Sequence, residues 1–513
     1  MRLEEFENSD PYLRDAGFLK YQYQLNSKTV ITIFGSLTDL FTNTPNIKGP
    51  TRGQIAQFGD NYLLSGDPNA PNFYGLNFYH VQTDFEYIGV TSDLGHGWKF
   101  DNKTYTYRYW NKQNYNNSTT TINATSGIDK LNGYRKIGDI MYWTHESARG
   151  VLRTGIWYEW AYTDRYQIPT NPRTWQNTPF GNFHEHFITQ SWQPFVEYEY
   201  RVTPRLSITP GIKLARYTMH LNQYADNGKT IGCPGGTLVS SVCVGGVSFV
   251  THDAPYHSWL PSIDARYLLR DNWSVYAQFA EGSVIPPSSV FDTKNASVSV
   301  LPKPTVAKTY QVGSVWKWNR VTLDADAYYT HFQNPYASTP DINGEPVYYQ
   351  TGPSNTKGLE AETNIHIAYG FNLYLNGTAG SAKYQKTGLW VANAPRNTET
   401  VGLTYQHRNW DGGFFNKRIG PMYNDNGAVN QAVSIDPFYM TNVFVNYTVK
   451  GSSVLRGTKF RLSVNNLLDK HSIVGVTPAL AGANPAPSPN DVLTLLPARS
   501  VMFTMTFGFA PSR

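Results

Sequence analysis

Two stretches near the C-terminus, in which apolar and polar residues alternate, constrain the fold more than any other feature. Between Lys459 and Val464, apolar residues alternate with Lys, Arg and Ser, and from Phe503 to Phe509 every second residue is Phe or Met. Successive side chains of a strand point to opposite faces. Both stretches are therefore predicted to be β-strands with one apolar and one polar face.

Similar strand patterns run along the whole chain, and short and long connections join them in alternation. Short connections such as Ser92–Gly97 predict tight turns, whereas long ones such as 36–76 and 163–182 are rich in Pro and Asn. We count nineteen strands and no interdomain linker, so residues 1–513 are predicted to form one architecture. A soluble β-sandwich protein would instead be divided into modules of about 100 residues. Short turns on one side and long loops on the other are typical of outer-membrane barrels.

The composition fits this class of protein. Charged residues make up 16% of the chain and aromatic residues 15%, with 36 Tyr and 13 Trp. Tyr and Trp suit surfaces that are partly wet and partly apolar, such as membrane interfaces. The chain contains no run of about 18 apolar residues, which a membrane-spanning helix would need. The net charge of +5 is spread along the chain, without the basic block of nucleic-acid-binding proteins.

Several blocks resemble the recurring blocks of TonB-dependent outer-membrane receptors. The segment Asn465–Asp469 and the aromatic terminal strand resemble the closing strands of that family. Three earlier blocks occur in the order that the family shows: Tyr276–Gly282 before Pro286–Pro287, Lys308–Gly313, and Gly358–Glu362. The similarity covers about residues 206–509, while the first 200 or so residues carry only the strand pattern. Two departures are the extension Ala510–Arg513 and the lack of any segment resembling the plug of the family.

The resemblance implies an all-β fold, a transmembrane antiparallel β-barrel with short periplasmic turns and long extracellular loops. It implies a place in the Gram-negative cell outer membrane, in contact with lipid and lipopolysaccharide. The implied activity is energised uptake of a scarce ligand, with a ferric siderophore as the commonest case, and TonB is the energy-transducing partner through the plug. Import of cobalamin or oligosaccharide by the same architecture, a passive porin, and a barrel enzyme are the alternatives. We expect no catalytic site and no cofactor.

The barrels of this family have about 22 strands, so the resemblance also implies that about three strands precede those counted here. The chain opens on the acidic segment Met1–Glu5 and shows no signal peptide. We therefore expect residues 1–513 to be an N-terminally truncated barrel domain without its plug. Such a chain is not expected to close into a barrel or to transport alone.

The long connections are expected to contact the ligand, because loops on a rigid scaffold commonly carry binding residues. The predicted ligand-binding residues are aromatic or basic and lie in or beside these connections: Tyr74, Tyr79, Arg165, Arg173 and Trp175. The cysteine-containing loop is a further candidate.

Cys233 and Cys243 are the two cysteines of the chain, and they lie close together in a Gly-rich segment. This spacing predicts a loop disulfide in an oxidising compartment, with two free thiols as the alternative.

Two groups of polar residues have the types that catalytic or metal sites use. His184-Glu185-His186 places two imidazoles on one side of a strand, but no third ligand can be recognised, and we interpret the group as rim residues. The carboxylates Asp324, Asp326, Glu360 and Glu362 could form a paired-acid hydrolase site. On the inner face of a barrel they are expected instead to form a salt-bridged wall. The predicted metal sites are therefore none.

Overall fold

A computed structural model describes most of the chain. The described residues are 2–4, 11–43, 49–60, 62–118, 120–226, 229–230, 233, 235–240, 242–286, 302–340, 346–424, 434–451, 455–478 and 487–507. Within them, no helix is both long enough and apolar enough to cross a membrane.

Nineteen long strands form one antiparallel sheet, as the alternation predicts. In chain order they are β1 (Pro11–Asn26), β2 (Thr29–Thr42), β3 (Phe78–Gly95), β4 (Trp98–Asn116), β5 (Gly127–Ser147), β6 (Gly150–Thr170), β7 (Phe183–Thr203), β8 (Leu206–Asp226), β9 (Val250–Arg270), β10 (Trp273–Val284), β11 (Thr305–Lys317), β12 (Val321–Gln333), β13 (Ser354–Ala368), β14 (Phe371–Tyr384), β15 (Asn397–His407), β16 (Trp410–Ile419), β17 (Phe438–Thr448), β18 (Lys459–Asn465) and β19 (Ser500–Thr506).

Each strand pairs with its neighbours in the chain, so the sheet is a continuous meander. The short strands Arg2–Glu4 and Lys229–Thr230 pair with β1 and β8. Among the described residues, the pairings of β1 and β19 do not include one with each other. The terminal strand ends at Thr506, earlier than predicted, and Phe509 lies outside the described residues.

The two faces of the sheet differ in chemistry. One face exposes large apolar side chains, such as Trp192 and Val196 on β7, which are 45% and 42% accessible. The other face carries ion pairs, such as Arg153 with Glu197 at 2.9 Å. An apolar outer face against lipid and a polar inner face toward the lumen are the arrangement of a membrane barrel. We therefore call them the outward and inward faces.

Some of the short connections are tight turns whose residues adopt positive φ. Tyr369 and Gly370 join β13 to β14 with φ of 52° and 90°. Positive φ at both central residues is the type I′ requirement, and it matches the twist of the paired strands. At Gly97, in the turn between β3 and β4, a Cβ atom would lie 2.2 Å from the carbonyl oxygen of Glu146.

The long connections, at the opposite end of the strands, carry small elements of their own. These are helix α1 (Arg52–Phe58), the 3-10 turn Tyr74–Leu76, and hairpins formed by Thr237–Val239 with Val242–Val244, Tyr336–Pro340 with Pro346–Gln350, Met422–Tyr423 with Ser434–Ile435, and Ile473–Thr477 with Val492–Leu495. Thr51 begins α1 in a capping box with Gln54, which satisfies two backbone N–H groups. Met422, Ile435, Val476 and Leu493 form a buried cluster between two of these hairpins.

Candidate functional site

A cluster of aromatic side chains lines the inward face of β4 to β6. The Tyr134 ring lies 5.3 Å from Tyr109 and 5.8 Å from Tyr107, measured between ring centroids. Tyr105 and Trp157 continue the cluster toward the short turns, with the indole Nε1 donating a hydrogen bond of 2.9 Å to the Tyr105 hydroxyl. We call these five residues the tyrosine wall.

One carboxylate holds the tyrosine wall in place. Glu159 on β6 accepts a 2.7 Å hydrogen bond from the Tyr105 hydroxyl and lies 2.9 Å from the Lys136 ammonium group. Lys136 thus pairs this carboxylate with a positive charge within the wall. The arrangement presents phenol hydroxyls, an indole and aromatic faces to the lumen. Such groups can stack on a ligand and form hydrogen bonds with it.

Tyr79, predicted to bind ligand, lies at the end of the tyrosine wall that is nearer the long connections. Its hydroxyl accepts a 3.4 Å hydrogen bond from Asn111, whose amide also donates to the Tyr109 hydroxyl at 2.9 Å. Asn111 is buried, so this pair of hydrogen bonds joins Tyr79 to the wall.

Tyr74 and Arg173, two further predicted residues, belong to loops that touch each other. Tyr74 lies in the 3-10 turn and is 40% accessible. Arg173 donates a 3.1 Å hydrogen bond from Nη2 to the carbonyl oxygen of Pro68, in the loop that leads to Tyr74. Trp175, in the same loop as Arg173, has a φ of 56° and donates its amide to Asn171 at 2.7 Å. The structure thus brings two of the long connections together above β3 to β6.

Arg165 lies in a different environment from the one predicted. The sequence places it in a long loop, but β6 continues to Thr170, and Arg165 is opposite Glu185 of β7. Its guanidinium group lies 5.0 Å from the centre of the Phe183 ring, and Glu185 is fully buried. Arg165 is therefore part of the packed inward wall near the strand ends.

The predicted cysteine pair is present as a disulfide in the long connection between β8 and β9. The Cα atoms of Cys233 and Cys243 are 5.2 Å apart. Cys243 lies in a hairpin strand whose partner contains Leu238, and the apolar side chains of this hairpin are about half exposed.

The four carboxylates of β12 and β13 face one another on the inward wall. Asp324 is opposite Glu362, and Asp326 is opposite Glu360. These four carboxylates were predicted to form a salt-bridged wall. The contacts that the structure describes for them are instead with tyrosine hydroxyls. Tyr276 donates to Asp324 at 3.4 Å, and Tyr374 donates to Glu362 at 2.8 Å.

His184 and His186 begin β7, as predicted, and they share the outward face of the sheet. A third group of ligand type, which the sequence does not reveal, lies beside them: Asp164 of β6 is opposite His186. The tyrosine wall was also not predicted. Its signal in the sequence is a tyrosine at every second position from Tyr105 to Tyr109.

Comparison with known proteins identifies the barrel. A family model described as "TonB dependent receptor-like, beta-barrel" matches residues 6–467. The chain belongs to the TonB-dependent receptor family. It is therefore a β-barrel of the Gram-negative outer membrane, in a family of transport receptors.

Solved structures of this family share the fold. The ferric-catecholate import receptor Fiu of E. coli K12 has a TM-score of 0.70 at 15% identity, covering 98% of this chain and 76% of its own. The ferric yersiniabactin uptake receptor FyuA of Yersinia pestis has a TM-score of 0.72 at 14% identity, covering 96% and 70%.

One curated relative matches over a short region. The pesticin receptor of Yersinia pestis is 30% identical over 125 residues, which are 23% of this chain and 17% of the relative. The match therefore spans about a sixth of the length of that receptor.

Proposed function

We propose that this TonB-dependent receptor imports a ferric siderophore across the outer membrane with energy supplied through TonB. The observation that carries the proposal is the tyrosine wall on the inward face, directly below the loops of Tyr74 and Arg173. Support for the ligand class comes from two similar structures, described as ferric-catecholate and ferric yersiniabactin receptors.

The chemistry of the wall suits such a ligand. A ferric siderophore is a bulky complex that presents oxygen atoms and, in many compounds, aromatic rings. The rings of Tyr109 and Tyr134, stacked at 5.3 Å, leave an aromatic surface on which a planar group can pack. The Tyr105 hydroxyl is held by Glu159 and Trp157, so its position is fixed before a ligand arrives.

The long loops are proposed to make the first contacts. Tyr74, Arg173 and Trp175 lie at the mouth, where an aromatic ring or a guanidinium group can capture an anionic complex. The exposed disulfide hairpin after β8 is proposed to contribute to the same surface. Arg165 is proposed to pack against Phe183 near the strand ends rather than to meet the ligand first.

Outer-membrane lipid and lipopolysaccharide are proposed to contact the outward face. Most of this face is apolar, but Asp84 of β3 holds Arg135 at 2.9 Å and Arg108 at 4.0 Å. These residues lie on the same face as Ile88 and farther from the short turns. Both guanidinium groups are about 40% accessible, so they can also bind the phosphates of lipopolysaccharide.

An uptake assay tests the proposal. The chain is produced in a full-length context, joined to a plug domain, in the outer membrane of a host that lacks its own ferric-siderophore receptors, with and without the host tonB gene. We expect radioactive iron to enter from a ferric siderophore only when TonB is present. Uptake that does not depend on TonB would contradict the proposal and indicate a passive porin-like channel. Uptake of cobalamin or an oligosaccharide, without uptake of iron, would show that this compound is the ligand instead of a ferric siderophore.

Deletion of residues 232–244 separates the loop contribution from the rest of the proposal. Reduced affinity for the ferric siderophore, with normal amounts of receptor in the outer membrane, is the expected result. Unchanged affinity and uptake would remove the disulfide loop from the ligand-binding surface.

A further inference from the structure

The outward face of β6 and β7 carries a compact group of metal-ligand side chains near the long-loop ends of the strands. The Nε2 atoms of His184 and His186 lie 3.6 Å and 3.1 Å from the same oxygen, Oδ1 of Asp164. One ligand atom from each of the three residues lies within 4.8 Å of the other two. We propose that these three residues form a binding site for a divalent transition-metal ion such as Zn²⁺.

The two nitrogen–oxygen distances are compatible with coordination of one metal ion. In a tetrahedral site with metal–ligand bonds of 2.0–2.1 Å, neighbouring ligand atoms are about 3.3 Å apart. The separations of 3.1 Å and 3.6 Å lie on either side of that value. These two separations therefore fit an ion bound to Asp164 and to both imidazoles, and the two imidazole nitrogens are at most 4.8 Å apart.

The Asp164 oxygen also lacks a satisfying donor. Its Oδ1 atom is buried, and no hydrogen bond of good geometry reaches it from the described residues, although both imidazoles lie nearby. A buried carboxylate oxygen without a hydrogen bond is costly. A cation bound between this oxygen and the two imidazoles removes that cost.

The backbone holds the three ligands in place. Asp164 is directly opposite His186 in the antiparallel ladder, and His184 lies two residues farther along β7. The Tyr224 ring of β8 packs against both imidazoles, with centroids 5.1 Å and 4.8 Å away. The ligands thus sit on rigid strands with an aromatic support, and such positioning gives a metal site its geometry.

The donor set selects the class of metal. Two imidazole nitrogens and one carboxylate oxygen suit Zn²⁺, Cu²⁺ or Ni²⁺, whereas Mg²⁺ and Ca²⁺ prefer oxygen ligands. All three side chains are about one-third accessible, so a fourth position is open to water or to a further ligand.

The position separates this site from the proposed transport route. His186 shares its face with Ile188 and Trp192, which belong to the outward surface. Glu185, between the two histidines, points to the inward face and is fully buried. The bound ion would join β6 to β7 on the outside of the barrel, and the inference does not depend on the proposed function.

Metal titration of the purified protein in detergent micelles tests the site. The probes are Zn²⁺ in competition with a chromophoric chelator, and Co²⁺, whose visible absorption reports tetrahedral coordination. We expect one tight equivalent of Zn²⁺ in the wild type. His184→Gln, His186→Gln and Asp164→Asn should each weaken this binding at least about 10-fold and abolish the tetrahedral Co²⁺ spectrum.

His220→Gln is the matched control. Among the residues that the structure describes, His220 of β8 pairs with one carboxylate, that of Asp253 at 2.8 Å, so this pair offers two ligands instead of three. The control should bind Zn²⁺ as the wild type does. Equal binding by the wild type and all three site variants, or no tight binding by the wild type, would overturn the proposal. If a histidine variant fails to reach the outer membrane, Asp164→Asn, which preserves the shape of the side chain, decides the test.

Discussion

The amide of Leu493 donates a 2.9 Å hydrogen bond to the carbonyl oxygen of Pro50, and this contact joins the first part of the chain to the last. Pro50 precedes α1, between β2 and β3, whereas Leu493 lies in the connection between β18 and β19. The amides of Arg52 and Gly53 donate to the same connection at 2.8 Å and 2.7 Å. The loop ends of the two outermost parts of the sheet are therefore brought together, which curls the sheet toward a barrel.

Gly49 makes this docking possible, and we predict that Gly49→Ala disrupts it. The residue has a φ of 103°, and an added Cβ would lie 2.0 Å from the Leu493 carbonyl oxygen. Positive φ in a residue with a side chain costs on the order of 1–3 kcal/mol, and the clash adds to it. Hydrogen exchange followed by mass spectrometry should show faster exchange in peptides covering residues 487–496.

Gly66→Ala is the control for this prediction, because nothing lies within 4 Å of its added Cβ and its φ is not in the left-handed region. Exchange in 487–496 should be unchanged in this variant. Equal exchange in Gly49→Ala and the wild type would show that these two loops do not dock on each other in the membrane-embedded protein.

The strands were predictable from the sequence because their apolar and polar residues alternate with a period of two. The extent of β6 was not. Arg165 and Gln167 are polar residues beyond the apolar band, and the sequence predicts a loop there. The ladder with β5 and β7 continues because inward polar side chains beyond the apolar band are buried among polar partners: Gln167 is 1% accessible and accepts a 2.8 Å hydrogen bond from Asn182.

Contacts between side chains of neighbouring strands also could not be predicted from the sequence pattern. His184 and His186 are visible as a pair, but Asp164 joins them only through the register between β6 and β7. The same holds for Tyr105 and Glu159, which are 54 residues apart and meet at 2.7 Å. Alternation shows which face a residue occupies, but it does not show which residue lies opposite.

Tyr134→Ala should weaken binding of the ferric siderophore if the tyrosine wall forms its surface. The ring contacts Tyr107 and Tyr109, so its loss removes the centre of the aromatic surface. We expect the dissociation constant to rise about 10-fold, equivalent to about 1.4 kcal/mol. Binding of the radioactive ferric complex to outer membranes measures the change.

Tyr310→Ala is the matched control, since Tyr310 also lies in an aromatic row, between Phe279 and Tyr329, but on the outward face. Its affinity should match that of the wild type. A similar loss in both variants would mean that the barrel, and not the inward wall, has been damaged.

The Cys233–Cys243 disulfide is expected to persist in the mature outer membrane. Closing a loop with a sequence separation of 10 should stabilise it by about 2–3 kcal/mol. Mass mapping without reductant should recover the two peptides joined. Cys233→Ser with Cys243→Ser should speed exchange in the Thr237–Val244 hairpin and leave β8 and β9 unchanged. Recovery of both thiols free from purified outer membranes would contradict the prediction.

The junction after β18 should loosen in acid through Asp469. The Arg499 amide donates a 2.8 Å hydrogen bond to this carboxylate and is the largest cause of its lowered pKa, with the Arg499 and His471 charges adding to the effect. A lowered pKa in the folded state means that the stabilisation is present above the usual pKa of 3.8 and is lost as the pH falls through the lower folded value.

Exchange of the Arg499 amide in the wild type should therefore approach that in Asp469→Asn only below about pH 4. Comparing the two proteins at each pH cancels the intrinsic pH dependence of exchange. If the ratio of their rates stays constant from neutral pH to acid, Asp469 does not hold the junction.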